Sequence, residues 1–154
     1  MAADGPPARI TYLARQVERG ARSLLDDTLR EFGLTTPQYT TMSVLARRGS
    51  LSSAQLARRA FVTPQAMNQI VAQLEAESLI ARTADPENGR ILRADLTAAG
   101  IERLGACDEA VDRIEDAMLD ALTGEQVDHL RDGLLACAQA LAGLTRVAAG
   151  PTGR

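Results

Sequence analysis

The chain has no lysine and no tryptophan, one histidine, two cysteines, two phenylalanines and two tyrosines in 154 residues. Each scarcity excludes something. With so few aromatics and a hydrophobic fraction of 45%, the core has to be built from Leu, Ala, Val and Ile, the composition of packed helices. The lone histidine, His129, has no neighbouring ligand, and Cys107 and Cys137 make no C-x-x-C or Cys-His metal spacing, so neither a metal nor another cofactor is expected. The acidic pairs Asp26-Asp27, Asp108-Glu109 and Glu115-Asp116 read as solvated helix faces. No G-x-x-x-x-G-K, G-x-S-x-G or G-x-G-x-x-G occurs, and no enzyme is expected. Nothing approaches the roughly 18 apolar residues that span a bilayer, and the opening MAADGPPARI lacks a basic segment followed by an apolar one. A cytoplasmic protein without membrane contact is the expectation, and the length suits a single domain.

What is present is arginine. All seventeen basic residues are Arg, so every cationic contact can be planar and bidentate. The net charge of −3 argues weakly against a nucleic-acid partner, but it hides a gradient. Residues 35–96 carry seven Arg against five acids, residues 1–34 five against five, and residues 97–154 five against ten.

Ile10, Leu13, Val17, Ala21, Leu24 and Phe32 recur at helical spacing and predict one long amphipathic helix over 9–32, ended by Gly33. Thr36 before Pro37 predicts the cap of a second helix, to about Arg47. Ser52-Ser53-Ala54-Gln55 matches a capping box for a short third helix, and Thr63-Pro64 opens a fourth, to about Ser78. On this fourth helix Met67, Ile70, Val71 and Leu74 form one face, while Gln65, Asn68, Gln69 and Ala72 form the opposite one. Ile80–Ala84 and Ile91–Leu96 then read as a hairpin around Asn88-Gly89, a strong turn signal. Helices three and four with this hairpin compose a helix-turn-helix closed by a basic-tipped wing, a unit suited to placing one helix in a DNA groove.

Two more helices fill 97–148. The first repeats Leu104, Val111, Met118 and Cys107, Ile114, Ala121 at heptad spacing. The second, opened by the capping box Thr123-Gly124-Glu125-Gln126, carries Val127, Leu130, Leu134, Cys137, Leu141 and Leu144. The terminal AAGPTGR is expected to fray. A chain of this size has little interior for three long apolar stripes, so the helices at 9–32 and 97–148 are expected to bury theirs against a second copy, around a DNA-binding lobe at 35–96. The predicted fold is mostly α (α+β), with about six helices and a two-stranded wing.

Several stretches in this order resemble a known family: Leu34-Thr35-x-x-Gln38-Tyr39, Leu56-Ala57, Leu74-Glu75-x-x-x-Leu79-Ile80-x-Arg82, Asp85 with Arg90, and Leu96-Thr97-x-x-Gly100. Together, over about residues 9–145, they look like MarR-type transcriptional regulators. The resemblance implies a homodimeric winged helix-turn-helix repressor on a pseudo-palindromic operator in double-stranded DNA, relieved by a small aromatic or phenolic effector or by cysteine oxidation. It implies that Arg90 enters the minor groove and that Asp85 and Arg82 belong to the wing. The family tip commonly reads Asp-x-Arg-Asp-x-Arg, whereas Glu87 and Asn88 fill the middle here, which should flatten the salt dependence of binding.

Positions 69 and 73, often Arg in the family, are Gln in this chain. Gln reads adenine where Arg favours guanine, so an A·T-rich half-site is expected, read mainly by Gln65, Asn68 and Gln69, with Gln73 beside them. Ser52 and Thr63 are expected as phosphate contacts or simple caps. The family's effector pocket would draw on Tyr12, Phe32, Tyr39 and Met42, against core packing as the plainer reading of each. Cys107 and Cys137 lie on apolar stripes and read as small core hydrophobes. Two alternatives stay open: a winged-helix protein-interaction module that does not bind DNA, and a redox switch through either cysteine.

Overall fold

The computed structural model describes residues 7–148, with side chains to residue 141. Six α-helices and three short strands follow in the order α1 (Ile10–Glu31), α2 (Thr36–Arg48), β1 (Leu51–Ser52), α3 (Ser53–Ala60), α4 (Pro64–Ala76), β2 (Ile80–Ala84), β3 (Leu92–Leu96), α5 (Ala98–Leu119) and α6 (Gly124–Ala148). Two compact units result, Met1–Ile114 and Glu115–Arg154. The fold is the expected mostly helical winged helix-turn-helix. No helix among the described residues is long and apolar enough to cross a membrane.

In the first unit, short polar caps set the helix boundaries. Ser52 Oγ accepts from the Gln55 N–H while Gln55 Oε1 accepts from the Ser52 N–H, which satisfies two donors at the start of α3. Thr63 Oγ1 accepts from the Ala66 N–H at 3.2 Å and starts α4. At α2 the cap is Thr35, one residue before the expected Thr36. Thr35 and Gln38 form a reciprocal capping box, and these two hydrogen bonds decide the register while Pro37 still fits the first turn. Freed from capping, the Thr36 hydroxyl donates to Asp26 Oδ1 of α1 at 2.5 Å.

The core of this unit comprises Leu29, Met42, Leu45, Leu56, Met67, Val71, Leu74 and Ile80, with Cys107 and Leu104 of α5 closing it. Met67, Val71 and Leu74 of α4 are buried as their spacing predicts, and Gln65, Asn68, Gln69 and Ala72 are exposed. The sheet has the order β1-β3-β2, all antiparallel. The wing is thus three-stranded where two strands were expected. The added β1 is only two residues, Leu51 opposite Ala94 and Ser52 opposite Arg93, and its pairing is with sequence more than 40 residues away. Strand β3 starts at Leu92, one residue later than expected, because the Ile91 N–H turns back to the Asn88 carbonyl.

Helix α5 docks through Gly100, where an added Cβ would strike the Leu79 carbonyl oxygen and come within 3.3 Å of Leu96 Cδ2. On α1 the predicted stripe is exposed along its length, from Ile10 through Leu13 and Val17 to Leu24.

In the second unit, Thr123 and Gln126 form the expected capping box of α6. The stripe residues Met118, Leu130, Leu134 and Leu141 are exposed, together with Leu122 and Leu135. Cys137, expected as buried filler, is exposed with them. The side chain of Leu144 and the terminal segment 149–154 lie outside the described residues.

Candidate nucleic-acid interface

The turn between α3 and α4 is three residues long, Phe61-Val62-Thr63. Phe61 ends α3 in the left-handed conformation, φ +55° and ψ +39°, and its N–H returns to the Ala57 carbonyl. Val62 packs partly against the core, and Thr63 caps α4. Helix α4 therefore leaves the turn at a fixed angle, with one face pinned in the core and the other in water.

The polar residues expected at the interface divide into two groups. Gln65, Asn68 and Gln69 on α4 and Arg90 at the wing tip are exposed, and their side chains make no hydrogen bond or ion pair among the described residues. The others are engaged within the chain. Gln73 Oε1 accepts from Gln38 Nε2 at 3.3 Å, which ties the middle of α4 to the capping box of α2. Arg82 of β2 is ion-paired with Glu75 of α4, and the guanidinium holds the Glu75 carboxyl below the usual carboxylate range. Ser52 and Thr63 are occupied as caps.

Asp85 is the brace of the wing. Its carboxylate, only 7% exposed, takes Arg93 Nε on one oxygen and the N–H groups of Glu87 and Asn88 on the other. The Arg93 guanidinium first, and then these two N–H groups, pull the carboxyl below its ordinary pKa, which marks the ionised form as the one the turn is built around. Arg93 also reaches the Ser50 carbonyl at 3.3 Å, and Ser50 Oγ donates to Asp95, so two residues of β3 hold the residue that leads into β1. Asn88 Oδ1 accepts from the Arg90 N–H. The tip backbone is consequently fixed while the Arg90 side chain stays uncommitted.

Of the four residues expected around an effector, three belong to one core or its edge and Tyr12 stands apart. Met42 is fully buried and is a core side chain. Phe32 and Tyr39 are half-buried at the edge of that core. The Tyr39 hydroxyl donates to Asp108 of α5 at 2.7 Å, and burial, then this hydrogen bond, push its pKa up to about 12. Tyr12 is exposed beside Arg15, Gln16 and Arg19. It lies 20 positions before Phe32, about 30 Å along the helix at 1.5 Å per residue. Cys107 is buried, and burial raises its thiol pKa, the setting of an unreactive cysteine.

Three engagements escaped the sequence: Gln38 with Gln73, Arg82 with Glu75, and Tyr39 with Asp108. The first left a trace, since Thr35-x-x-Gln38 has the spacing of a capping box.

A capped three-residue turn, a helix with one uncommitted polar face and a braced wing with a free arginine at its tip define a winged helix-turn-helix DNA-binding protein. Comparison with known proteins narrows the class. The family model described as MarR family matches residues 32–91. The HTH-type transcriptional repressor Rv2887 of Mycobacterium tuberculosis is 42% identical over 120 residues, covering 77% of this chain and 86% of that protein. A solved structure of the same M. tuberculosis protein in complex with salicylic acid has a TM-score of 0.68 and 34% identity, over 88% of this chain and 99% of that one. NadR in complex with 4-hydroxyphenylacetate has a TM-score of 0.77 at 25% identity, over 90% and 98% of the two chains. The chain belongs to the MarR family and is a DNA-binding transcriptional repressor.

Proposed function

We propose that the chain works as a homodimer that holds an A·T-rich pseudo-palindrome and lets go when a small aromatic acid binds. The observation that carries the DNA part is the division of polar side chains. Gln65, Asn68, Gln69 and Arg90 stay exposed and uncommitted, while their neighbours Gln73, Arg82 and Asp85 are used to hold α4 and the wing. Gln and Asn pair bidentately with adenine N6 and N7, which favours A·T pairs under α4. Arg90 suits the narrow, negative minor groove that A·T-rich DNA presents beside them.

Dimerisation is supported by apolar exposure. Ile10, Leu13, Val17 and Leu24 on α1, and Leu130 and Leu134 on α6, are exposed along each helix, and such apolar stripes mark interaction surfaces. An isologous partner offers the same stripes in return. It would also supply what one chain lacks at the effector site, because Tyr12 is too far along α1 to meet Phe32 and Tyr39 of its own chain. Relatives crystallised with salicylic acid and 4-hydroxyphenylacetate favour a small aromatic acid over a redox signal. Burial and a raised pKa give a redox reading through Cys107 no support, whereas Cys137 is exposed.

The test is fluorescence anisotropy with the duplex upstream of the chain's own gene, read for stoichiometry and then challenged with salicylate. Two chains per duplex and release by salicylate are expected. One chain per duplex would refute the dimer, and binding indifferent to salicylate and 4-hydroxyphenylacetate would refute the effector class.

A further inference from the structure

Phe61 is 83% exposed, more than any other large apolar side chain among the described residues. It is also one of two non-glycine residues there with positive φ. The left-handed region crowds a Cβ against the backbone and suits glycine, and Gly33 and Gly49 fill that role at the ends of α1 and α2. At the turn of the helix-turn-helix the chain instead carries its strain under a phenyl ring, and the ring has no cover. Glycine at this position would relieve both costs at once. A strained, exposed aromatic at this turn is a feature that folding alone does not explain.

Its surroundings indicate what meets it. Arg58 and Arg59, both exposed, occupy the last turn of α3 on one side. On the other side stand the Thr63 cap and the start of α4, with Pro64 and Gln65 exposed. Cations flanking a ring beside a helix N-terminus match a polyanion that offers apolar groups between its charges. Duplex DNA does so, through thymine 5-methyl groups in the major groove and deoxyribose carbons along its edge. The exposed stripes that suit a second copy lie on α1 and α6, not here.

We infer that Phe61 is an apolar contact to the operator, made where α4 enters the groove. This rests on the reading that α4 is the helix inserted into DNA, and it adds a contact that is neither a hydrogen bond nor a charge.

The experiment compares the full chain with Phe61→Gly on the operator duplex at several salt concentrations, alongside thermal melting and measurement of oligomeric state. Phe61→Gly should bind roughly tenfold or more weakly, two rings being lost per dimer. Its salt slope should match that of the parent, because no charge is removed. Its melting temperature should stay equal or rise, since the strain is relieved. Replacing thymidine by deoxyuridine one pair at a time identifies the group touched. If the methyl is met, one replacement weakens the parent and leaves Phe61→Gly unchanged; if deoxyribose is met, both proteins ignore every replacement. Unchanged affinity in Phe61→Gly overturns the inference, as does weaker binding accompanied by a lower melting temperature or an altered oligomeric state. A parent chain that binds no duplex sinks the insertion of α4 as well, whereas a parent that binds with Phe61 indifferent sinks this contact alone.

Discussion

Arg90→Ala is the substitution whose effect can be worked most fully from the structure. The side chain is exposed and unpaired, whereas the turn that carries it is held by Asp85 and Asn88 through the hydrogen bonds already described. Alanine should therefore leave the wing in place and delete one cation. In a dimer two are deleted. Each phosphate neutralised contributes about 0.9 to the slope of log affinity against log salt, so the slope should fall by about 1.8. Between 50 and 200 mM salt, a fourfold change, the parent should lose roughly 12-fold more affinity than the variant. Anisotropy titrations at four or five salt concentrations measure this directly. Arg30→Ala is the control, because Arg30 is ion-paired with Asp27 on α1 and lies outside the DNA-binding lobe. Parallel lines for the parent and Arg90→Ala would refute the reasoning, since they would mean that the wing tip never meets the backbone.

Gln69→Ala should relax preference at one base pair in each half-site by roughly 1–3 kcal/mol, seen in a binding-site selection, while a loss shared equally by all sequences would count against adenine readout. Gly100→Ala sets helix propensity, worth about 1 kcal/mol in favour of alanine, against a Cβ driven into the Leu79 carbonyl. Overpacking costs typically 1–3 kcal/mol and backbone yields least, so the melting temperature should fall by several degrees, whereas Gly105→Ala, with open space around it, should not lower it. Tyr39 is held protonated in the fold up to about pH 12, against an ordinary value of 10.0. Its contribution is fully present below pH 10 and is lost as pH rises through about 12, because there the unfolded chain releases the proton first. With no lysine to titrate in that window, melting curves between pH 9 and 12 should show a loss that Tyr39→Phe diminishes. Asp85, shifted the other way, contributes above the ordinary carboxylate pKa and loses its contribution as pH falls through its own lower value, so Asp85→Asn should flatten the acid limb of the same curves.

Much of this architecture is legible in the sequence because its signals are local. The caps at Ser52, Thr63 and Thr123 each need only a side chain and the backbone three residues on. The two faces of α4 follow from a period of 3.6. What stayed hidden depends on long-range proximity. β1 exists only because residues 93–94 pass beside it, and Tyr39 meets Asp108 across 69 positions. Arg82 and Gln73 looked like free polar groups, and their commitment to Glu75 and Gln38 became visible only once α4 had neighbours. Cys137 shows the opposite limit: its spacing on an apolar stripe predicts burial, and the structure leaves it exposed.

The central claim is that two copies of this chain place α4 in successive grooves of one duplex. Footprinting of the DNA upstream of its own gene with the full chain tests it most directly. The account predicts two protected half-sites about one helical turn apart, A·T-rich and related by a dyad, protected together at a single protein concentration. Absence of protection at low salt, or one isolated half-site protected alone, would contradict it.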